Sequence, residues 1–224
     1  MIRRHARPFG VVAALAIATL ACTAAPGASP PGASAPPPSA GASVAAGTGN
    51  CPTEQPAALP AGETRTVTLE TTKGPIAISV EADLSPIAAG NFVALAECGF
   101  YDGIVFHRTP TLEDGTPFVI QGGDPDGTGS GGPGYTIEDE PVTATYGRGT
   151  VAMARTSEPD SVGSQFFIVL DDGARDILAT YNTYQIIGSV TQGMENADAI
   201  YQAAGGEELP AQPESITSAS VSTP

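Results

Sequence analysis

Three short stretches of the chain combine a permanently charged side chain with aromatic and amide side chains. They are Phe106–Arg108 (FHR), Phe118–Pro125 (FVIQGGDP) and Gly163–Val169 (GSQFFIV), and Ala152–Arg155 (AMAR) lies between the last two. A guanidinium never loses its charge and suits charge stabilisation in a dry site. Phenylalanine rings supply apolar surface, and glutamine amides both donate and accept hydrogen bonds. These residue types predict a site that works by non-covalent binding.

The sequence lacks the motifs of several other kinds of active site. Ser164 has no Gly-x-Ser-x-Gly context, and the glycine-rich run Gly122–Gly134 is not followed by the Gly-Lys-Ser/Thr of a phosphate loop. The acidic residues between positions 124 and 140 are too irregular for a calcium loop. We therefore expect no metal ion and no cofactor. His107 is expected to be structural, since alternation places it opposite Arg108 in an extended segment.

In this order, the four stretches resemble the active-site face of a cyclophilin, and the resemblance covers roughly Thr64–Ser222. It implies a mainly β fold, a closed antiparallel eight-stranded barrel capped by two α-helices. It also implies peptidyl-prolyl cis-trans isomerase activity without metal, nucleotide or covalent intermediate. The partners would be proline-containing polypeptides.

The resemblance assigns roles to individual residues. Arg108 matches the catalytic arginine, which would donate to the proline nitrogen as the X-Pro bond twists, against a barrier of about 20 kcal/mol. The alternative for Arg108 is a surface ion pair with one of the many acids. The substrate-binding positions are Phe118, Val119 and Phe167 for the proline seat, Gln121 and Gln165 for the substrate backbone, Ala154 for the adjoining subsite, Arg155 for the groove rim and Tyr184 for the wall.

The sequence departs from the family pattern at positions that are expected to affect substrate choice. Arg108 and Phe118 are ten positions apart instead of about five, so TPTLEDGTP carries an insertion that we expect to loop outward. Arg155 replaces a common asparagine and is expected either to favour acidic substrates or to pair with Glu158 or Asp160. The chain has no tryptophan, which many relatives use in drug binding. These departures keep open a second reading, a catalytically weak peptide-binding or chaperone module on the same fold.

The elements that must position these residues follow from hydrophobic periodicity. Apolar residues alternate on both sides of Lys73-Gly74, which predicts a β-hairpin. Ser85-Pro86 and Gly99 delimit a predicted helix at 86–98, and a second helix is predicted at 193–202. Further strands are predicted at 149–154, 165–170, 184–190 and 215–222. Many short strands favour a closed barrel, although periodicity alone does not exclude a sandwich.

The N-terminal region predicts export. Residues 1–21 combine an arginine-bearing start with an apolar run that is too short to span a bilayer, and they predict a signal peptide. Cys22 follows Leu20-Ala21 and resembles a bacterial lipobox cysteine, although Thr19 stands where the family pattern has an apolar residue. We expect an extracytoplasmic protein anchored to the bacterial membrane through lipidated Cys22. The alternative is ordinary secretion.

A Pro/Ala/Gly-rich segment at 22–61 is predicted to be a disordered tether, and residues 62–224 to form the isomerase domain. The net charge of −15 argues against nucleic acid as a partner, and we expect a monomer. Cys51 and Cys98 are an even pair in a chain that is predicted to reach an oxidising compartment, which favours a disulfide. The alternative is two free thiols.

Overall fold

The structure, a computed structural model, describes residues 50–223. These residues form a curled antiparallel sheet and three helices. The strands are β1 (Thr64–Thr71), β2 (Gly74–Glu81), β3 (Val119–Gly122), β4 (Thr150–Met153), β5 (Phe166–Val169), β6 (Ile186–Gln192) and β7 (Ile216–Ser222), and the helices are α1 (Pro86–Glu97), α2 (Ala174–Tyr181) and α3 (Met194–Ala203). In this part of the chain no helix has the length and apolar character needed to cross a membrane.

The sheet has seven strands in the order β3-β5-β4-β6-β2-β1-β7, so β3 and β7 are its edges. The segment 105–108, which contains the FHR stretch, lies between these edges and makes only isolated bridges. Val105 pairs with Asp124 and with Ser215, and Arg108 pairs with Gln121. The predicted closed barrel of eight regular strands is therefore corrected to a seven-stranded half-barrel. The eighth segment is too short and irregular to form a continuous ladder.

The predicted hairpin is confirmed. β1 and β2 pair in register around the turn, and Val67, Leu69, Ile76, Ile78 and Val80 are all fully buried on one face. The Thr71 hydroxyl donates to the Gly74 carbonyl at 2.6 Å and accepts from the Lys73 amide at 3.1 Å. These bonds close the turn and place the alternating apolar residues in the core.

Helix α1 begins at Pro86 and ends at Glu97, close to the predicted 86–98. Ser85 occupies the N-cap position, but its side chain makes no capping bond there. Instead, the Glu140 carboxylate accepts the Ile87 and Ala88 amides, each at 2.9 Å. An acid from a distant loop thus satisfies the unpaired amides of the first turn.

The prediction of two helices missed α2. This eight-residue helix buries only Ala174 and Leu178, so its apolar stripe is too narrow to stand out from the surrounding polar sequence. Its C-cap residue is Asn182, whose φ of 44° is left-handed, and the Asn182 amide donates to the Leu178 carbonyl. Asparagine is one of the few residues other than glycine that readily adopts this conformation.

Residues 50–61 pack against the domain, ahead of the predicted boundary at residue 62. Leu59 is buried, and its amide donates to the Pro86 carbonyl at 2.9 Å. A Cβ on Gly90 would lie 2.3 Å from the Ala57 carbonyl oxygen, so the glycine admits the segment against α1. A disulfide joins Cys51 to Cys98 at the end of the same helix. The predicted signal peptide, Cys22 and the tether up to residue 49 lie outside the described residues.

Candidate active site

Two adjoining grooves bring together every substrate-site residue that the sequence predicted. The main groove has a volume of about 490 Å³, and the side groove has a volume of about 370 Å³. The two grooves share Gln121, Ala154 and Arg155 in their lining. Gln165 lines the side groove. The predicted residues in the main groove are Arg108, Phe118, Val119, Gln121, Ala154, Arg155, Phe167 and Tyr184.

Adjacent phenylalanines on β5 face opposite sides, as the alternation of a strand requires. Phe166 is fully buried in the core, where its ring packs edge-on against Phe92, at a centroid distance of 5.2 Å. Phe167 lines the main groove and packs edge-on against Tyr184 at 5.4 Å. Phe167 therefore supplies the apolar floor of the groove, and Tyr184 supplies an aromatic wall.

The Arg108 guanidinium is held at the groove by two partners. Its Nη1 donates to Gln121 Oε1 at 3.3 Å, and its Nε and Nη2 lie 2.9 and 2.8 Å from Glu208 Oε1. The backbones of Arg108 and Gln121 also exchange hydrogen bonds. A guanidinium carries five N–H donors. Within the part of the chain that the structure describes, one Nη1 donor and one Nη2 donor remain for a ligand.

The two glutamines form a relay from Arg108 into the side groove. Gln121 Nε2 donates to Gln165 Oε1 at 2.9 Å, and Gln165 Nε2 donates to the Gly131 carbonyl at 2.9 Å. Gly123, with a φ of 89°, lets the backbone after β3 pack closely against the backbone before β5. A Cβ at Gly123 would lie only 2.4 Å from the Ser164 carbonyl oxygen. The relay orients both amides before any ligand arrives.

The glycine-rich connection after β3 is organised by the buried Asp124 carboxylate. It accepts the amides of Asp126, Thr128 and Gly129 at 2.8, 3.0 and 2.6 Å. Burial alone would raise the pKa of Asp124, but the backbone N–H donors and nearby His107 lower it below its ordinary value. Gly131 is required because a Cβ there would lie 1.9 Å from Asp124 Oδ1. Among the described residues no cluster of His, Cys, Asp or Glu could hold a metal ion.

His107 is only 5% exposed, and neither ring nitrogen has a hydrogen-bond partner among the described residues. Burial lowers the pKa of His107, and Arg108 lowers it further, whereas Asp124 acts in the opposite direction. His107 lines the main groove together with Arg108. A neutral, buried histidine beside Arg108 avoids a second positive charge there.

Arg155 does not present a free charge at the groove rim. Its side chain is 10% exposed and pairs with Asp139 at 2.9 Å. It also donates to the backbone carbonyls of Thr156 and Glu158, at 3.1 and 2.6 Å. The predicted ion pairs with the Glu158 or Asp160 carboxylates are not the ones formed. Arg155 instead ties the 155–161 loop to the segment that contains Asp139.

The insertion after Arg108 folds into a small hairpin beside the groove. Thr111 bridges Pro117, and the Leu112 amide donates to the Thr116 carbonyl at 2.9 Å. The Thr111 hydroxyl hydrogen-bonds the Tyr201 hydroxyl of α3 at 2.5 Å. No residue of 109–117 lines either groove, so the insertion contacts α3 without filling the site.

Several groove residues were not predicted from the sequence. Leu178 lines the groove, whereas Thr180 on the same helix is exposed, and its hydroxyl donates to the Asp176 carbonyl. Glu208, which contacts Arg108, was also missed because it is 100 positions from Arg108, and one acid among 24 carries no local signal. The remaining unpredicted lining residues include Thr128, Gly129, Ile177, Tyr181 and Leu209.

Residues 66–221 match the family model described as cyclophilin type peptidyl-prolyl cis-trans isomerase/CLD. The chain therefore belongs to the cyclophilin-type peptidyl-prolyl cis-trans isomerase family. The enzyme class is that of a proline isomerase.

Curated relatives support the same family. Peptidyl-prolyl cis-trans isomerase B of Bacillus subtilis is 43% identical over 124 residues, which cover 53% of this chain and 80% of that protein. Peptidyl-prolyl cis-trans isomerase CYP65 of Arabidopsis thaliana is 38% identical over 141 residues, 60% of this chain but 22% of that protein. The chain thus spans most of a bacterial relative and only a small part of a plant one.

A solved structure has the same fold. The crystal structure of a cyclophilin type peptidyl-prolyl cis-trans isomerase of Cryptosporidium parvum, in the presence of dipeptide Ala-Pro, superposes with a TM-score of 0.60 and 28% identity. The match covers 71% of this chain and 99% of that one. The family binds proline-containing peptides.

Proposed function

We propose that this chain isomerises X-Pro bonds by electrostatic assistance from Arg108 in the main groove. One observation supports the proposal most directly: a guanidinium with two unused N–H donors lies in the same groove as the apolar floor formed by Phe118 and Phe167. Twisting the X-Pro bond localises the nitrogen lone pair, and a fixed donor stabilises that charge best when water is excluded.

Each group of groove residues has a separate role in this proposal. Phe118, Val119 and Phe167 seat the proline ring through apolar burial. Gln121 and Gln165 bind the substrate backbone, and Ala154 leaves room for the residue in the adjoining subsite. Tyr184 closes the wall. Arg108 then interacts more strongly with the twisted amide than with the planar one, which is what accelerates the rotation.

The direct test measures cis-trans exchange of an Ala-Pro peptide by the full chain and by three variants. Arg108→Ala should lower kcat/KM about 100- to 1000-fold, the loss typical of removing a preorganised donor. Arg108→Lys keeps the positive charge but loses the planar arrangement of guanidinium donors. Its kcat/KM should therefore lie between those of the wild type and Arg108→Ala. Arg65→Ala serves as the matched control because Arg65 lies outside both grooves. Equal rates for the wild type and Arg108→Ala would remove the proposal.

A second candidate, a catalytically weak peptide-binding module, is favoured by one observation. Glu208 occupies two of the five Arg108 donors and offsets its charge. This module would bind proline peptides with little turnover. Peptide affinity that is intact in Arg108→Ala, together with near-background exchange in the wild type, would select it.

We further propose that the enzyme acts outside the cytoplasm on secreted or envelope proteins, as a monomer anchored through lipidated Cys22. Support comes from the export pattern of residues 1–21 and from the Cys51–Cys98 disulfide, which is typical of oxidising compartments. Expression in a bacterial host with labelled palmitate should label the wild type and not Cys22→Ala. An unlabelled wild type in the culture medium would instead support ordinary secretion.

A further inference from the structure

The residues described by the structure include only three large hydrophobic side chains that are strongly exposed. Ile177 is 41% exposed, Tyr181 62% and Leu209 70%. All three line the main groove, although they come from two separate segments of the chain. Exposed apolar side chains that gather at one place mark an interaction surface, whereas scattered ones carry no such meaning. We call these three residues the apolar rim.

The two segments that carry the rim are anchored to the domain. Ile177 and Tyr181 are four positions apart on α2 and share a face of that helix. The opposite side of the helix is fixed because Leu178 is buried with Val119 and Phe167. Leu209 follows Glu207 and Glu208, whose carbonyls accept from the Thr109 side chain and backbone at 2.7 and 2.8 Å. The backbone that carries the rim is therefore anchored to the domain on both sides.

An aromatic series connects the rim to the floor of the groove. The Phe167 ring contacts Tyr184 at 5.4 Å, and Tyr184 contacts Tyr181 at 6.3 Å, both at steep angles. Apolar surface therefore continues from the buried floor to the exposed rim. A peptide whose proline sits on Phe167 would have neighbouring side chains within reach of this surface.

We infer that Tyr181 and Leu209 are specificity-determining residues that favour substrates with a large apolar side chain within two positions of the proline. The inference rests on the proposed function for the placement of the proline. Such substrates are typical of unfolded protein segments, whose apolar residues are exposed before the core forms. The charge of Arg108 is offset by Glu208, so the groove does not favour acidic neighbours over apolar ones.

The test uses the full chain and a host peptide, Ala-Ala-Pro-Ala-Ala. Leu or Gln replaces each alanine in turn, so that apolar character is separated from side-chain size. Dissociation constants and kcat/KM are both measured. We expect at least one position at which Leu is favoured over Gln by about fivefold, the gain expected from roughly 40 Å² of apolar contact.

Variants assign that preference to the rim. Tyr181→Ser and Leu209→Ser should each lower the Leu-to-Gln ratio at that position, whereas Tyr181→Phe should keep it. Thr180→Ala is the matched control, since Thr180 is exposed on the same helix and outside the groove. It should leave the ratio unchanged.

The outcomes separate the inference from the proposed function. Binding ratios that are equal for Leu and Gln at all four positions, or unchanged in both serine variants, would overturn the role of the rim. Absent turnover would remove the isomerase proposal, while the binding ratios would still decide the role of the rim. A concentration-dependent dimer that Tyr181→Ser dissociates would also contradict the inference, because the rim would then be a contact between copies of the chain.

Discussion

Glu208 binds the Arg108 guanidinium through a single carboxylate oxygen, with Arg108 Nε at 2.9 Å and Nη2 at 2.8 Å. The two residues are 100 positions apart in sequence. Both side chains are substantially exposed, so the pair contributes at most about 1 kcal/mol to folding. The negative charge of Glu208 also offsets the positive charge that Arg108 brings to the groove.

Removing the charge of Glu208 should therefore increase activity. Gln121 and the backbone bridge still position Arg108, so Glu208→Gln and Glu208→Ala should each raise kcat/KM for an Ala-Pro peptide about threefold, within the energy of an exposed pair. Glu207→Gln, which makes the same charge change without touching Arg108, is the control. A loss of activity in Glu208→Ala but not in Glu208→Gln would show that Glu208 positions the arginine instead.

Arg155 is expected to affect stability more than substrate charge preference. Replacing it with methionine removes the ion pair with Asp139 and the hydrogen bonds to the carbonyls of Thr156 and Glu158, which should lower the free energy of unfolding by about 1–3 kcal/mol. Urea denaturation measures this loss. Arg175→Ala is the comparison, because the ion pair of Arg175 with Asp172 is mostly exposed, and it should cost under about 1 kcal/mol. A shift in preference between acidic and neutral peptides, without a change in stability, would contradict this assignment.

The pKa of His107 predicts a loss of stability in mild acid. Because burial lowers this pKa in the folded state, the unfolded chain binds a proton first as the pH falls below the ordinary value of 6.5. Stability should be greatest above pH 6.5 and decline below it. Asp124, whose pKa is also lowered, contributes in the same direction only near pH 3.8 and below.

Denaturant titrations at pH 7.5 and pH 5.5 test this dependence. His107→Asn should show a smaller difference between the two pH values than the wild type, whatever its absolute stability. Beyond residue 49 the chain has no other histidine, which simplifies the interpretation. An identical pH difference in both proteins would rule out His107 as the source.

The Cys51–Cys98 disulfide closes a loop with a sequence separation of 47, and its loss should lower the free energy of unfolding by roughly 3 to 4 kcal/mol. The experiment compares oxidised protein with the Cys51→Ser/Cys98→Ser variant, both in a Cys22→Ala background so that no other thiol is present. Two reactive thiols in the unreduced Cys22→Ala protein would contradict the bridge.

Much of the fold follows from local sequence. The β1–β2 hairpin, α1 and α3 carry strong periodicity or clear turn signals. The hairpin forms around the predicted turn, and both helices lie within one residue of their predicted bounds. Helix α2 and the strand count were missed. α2 buries two residues, and the FHR stretch pairs only through isolated bridges, so neither leaves a regular pattern to detect.

The sequence by itself determined the residue types of the site, since Arg108, the glutamines and the phenylalanines lie in short motifs whose spacing is local. Only the tertiary structure decided which other side chains they contact. Arg108 is partnered by Glu208, Arg155 is turned toward Asp139, and Tyr181 and Leu209 gather at one rim. The reason is physical: ion pairs and exposed apolar contacts form between residues that are distant in sequence, and no periodicity of a helix or strand records them.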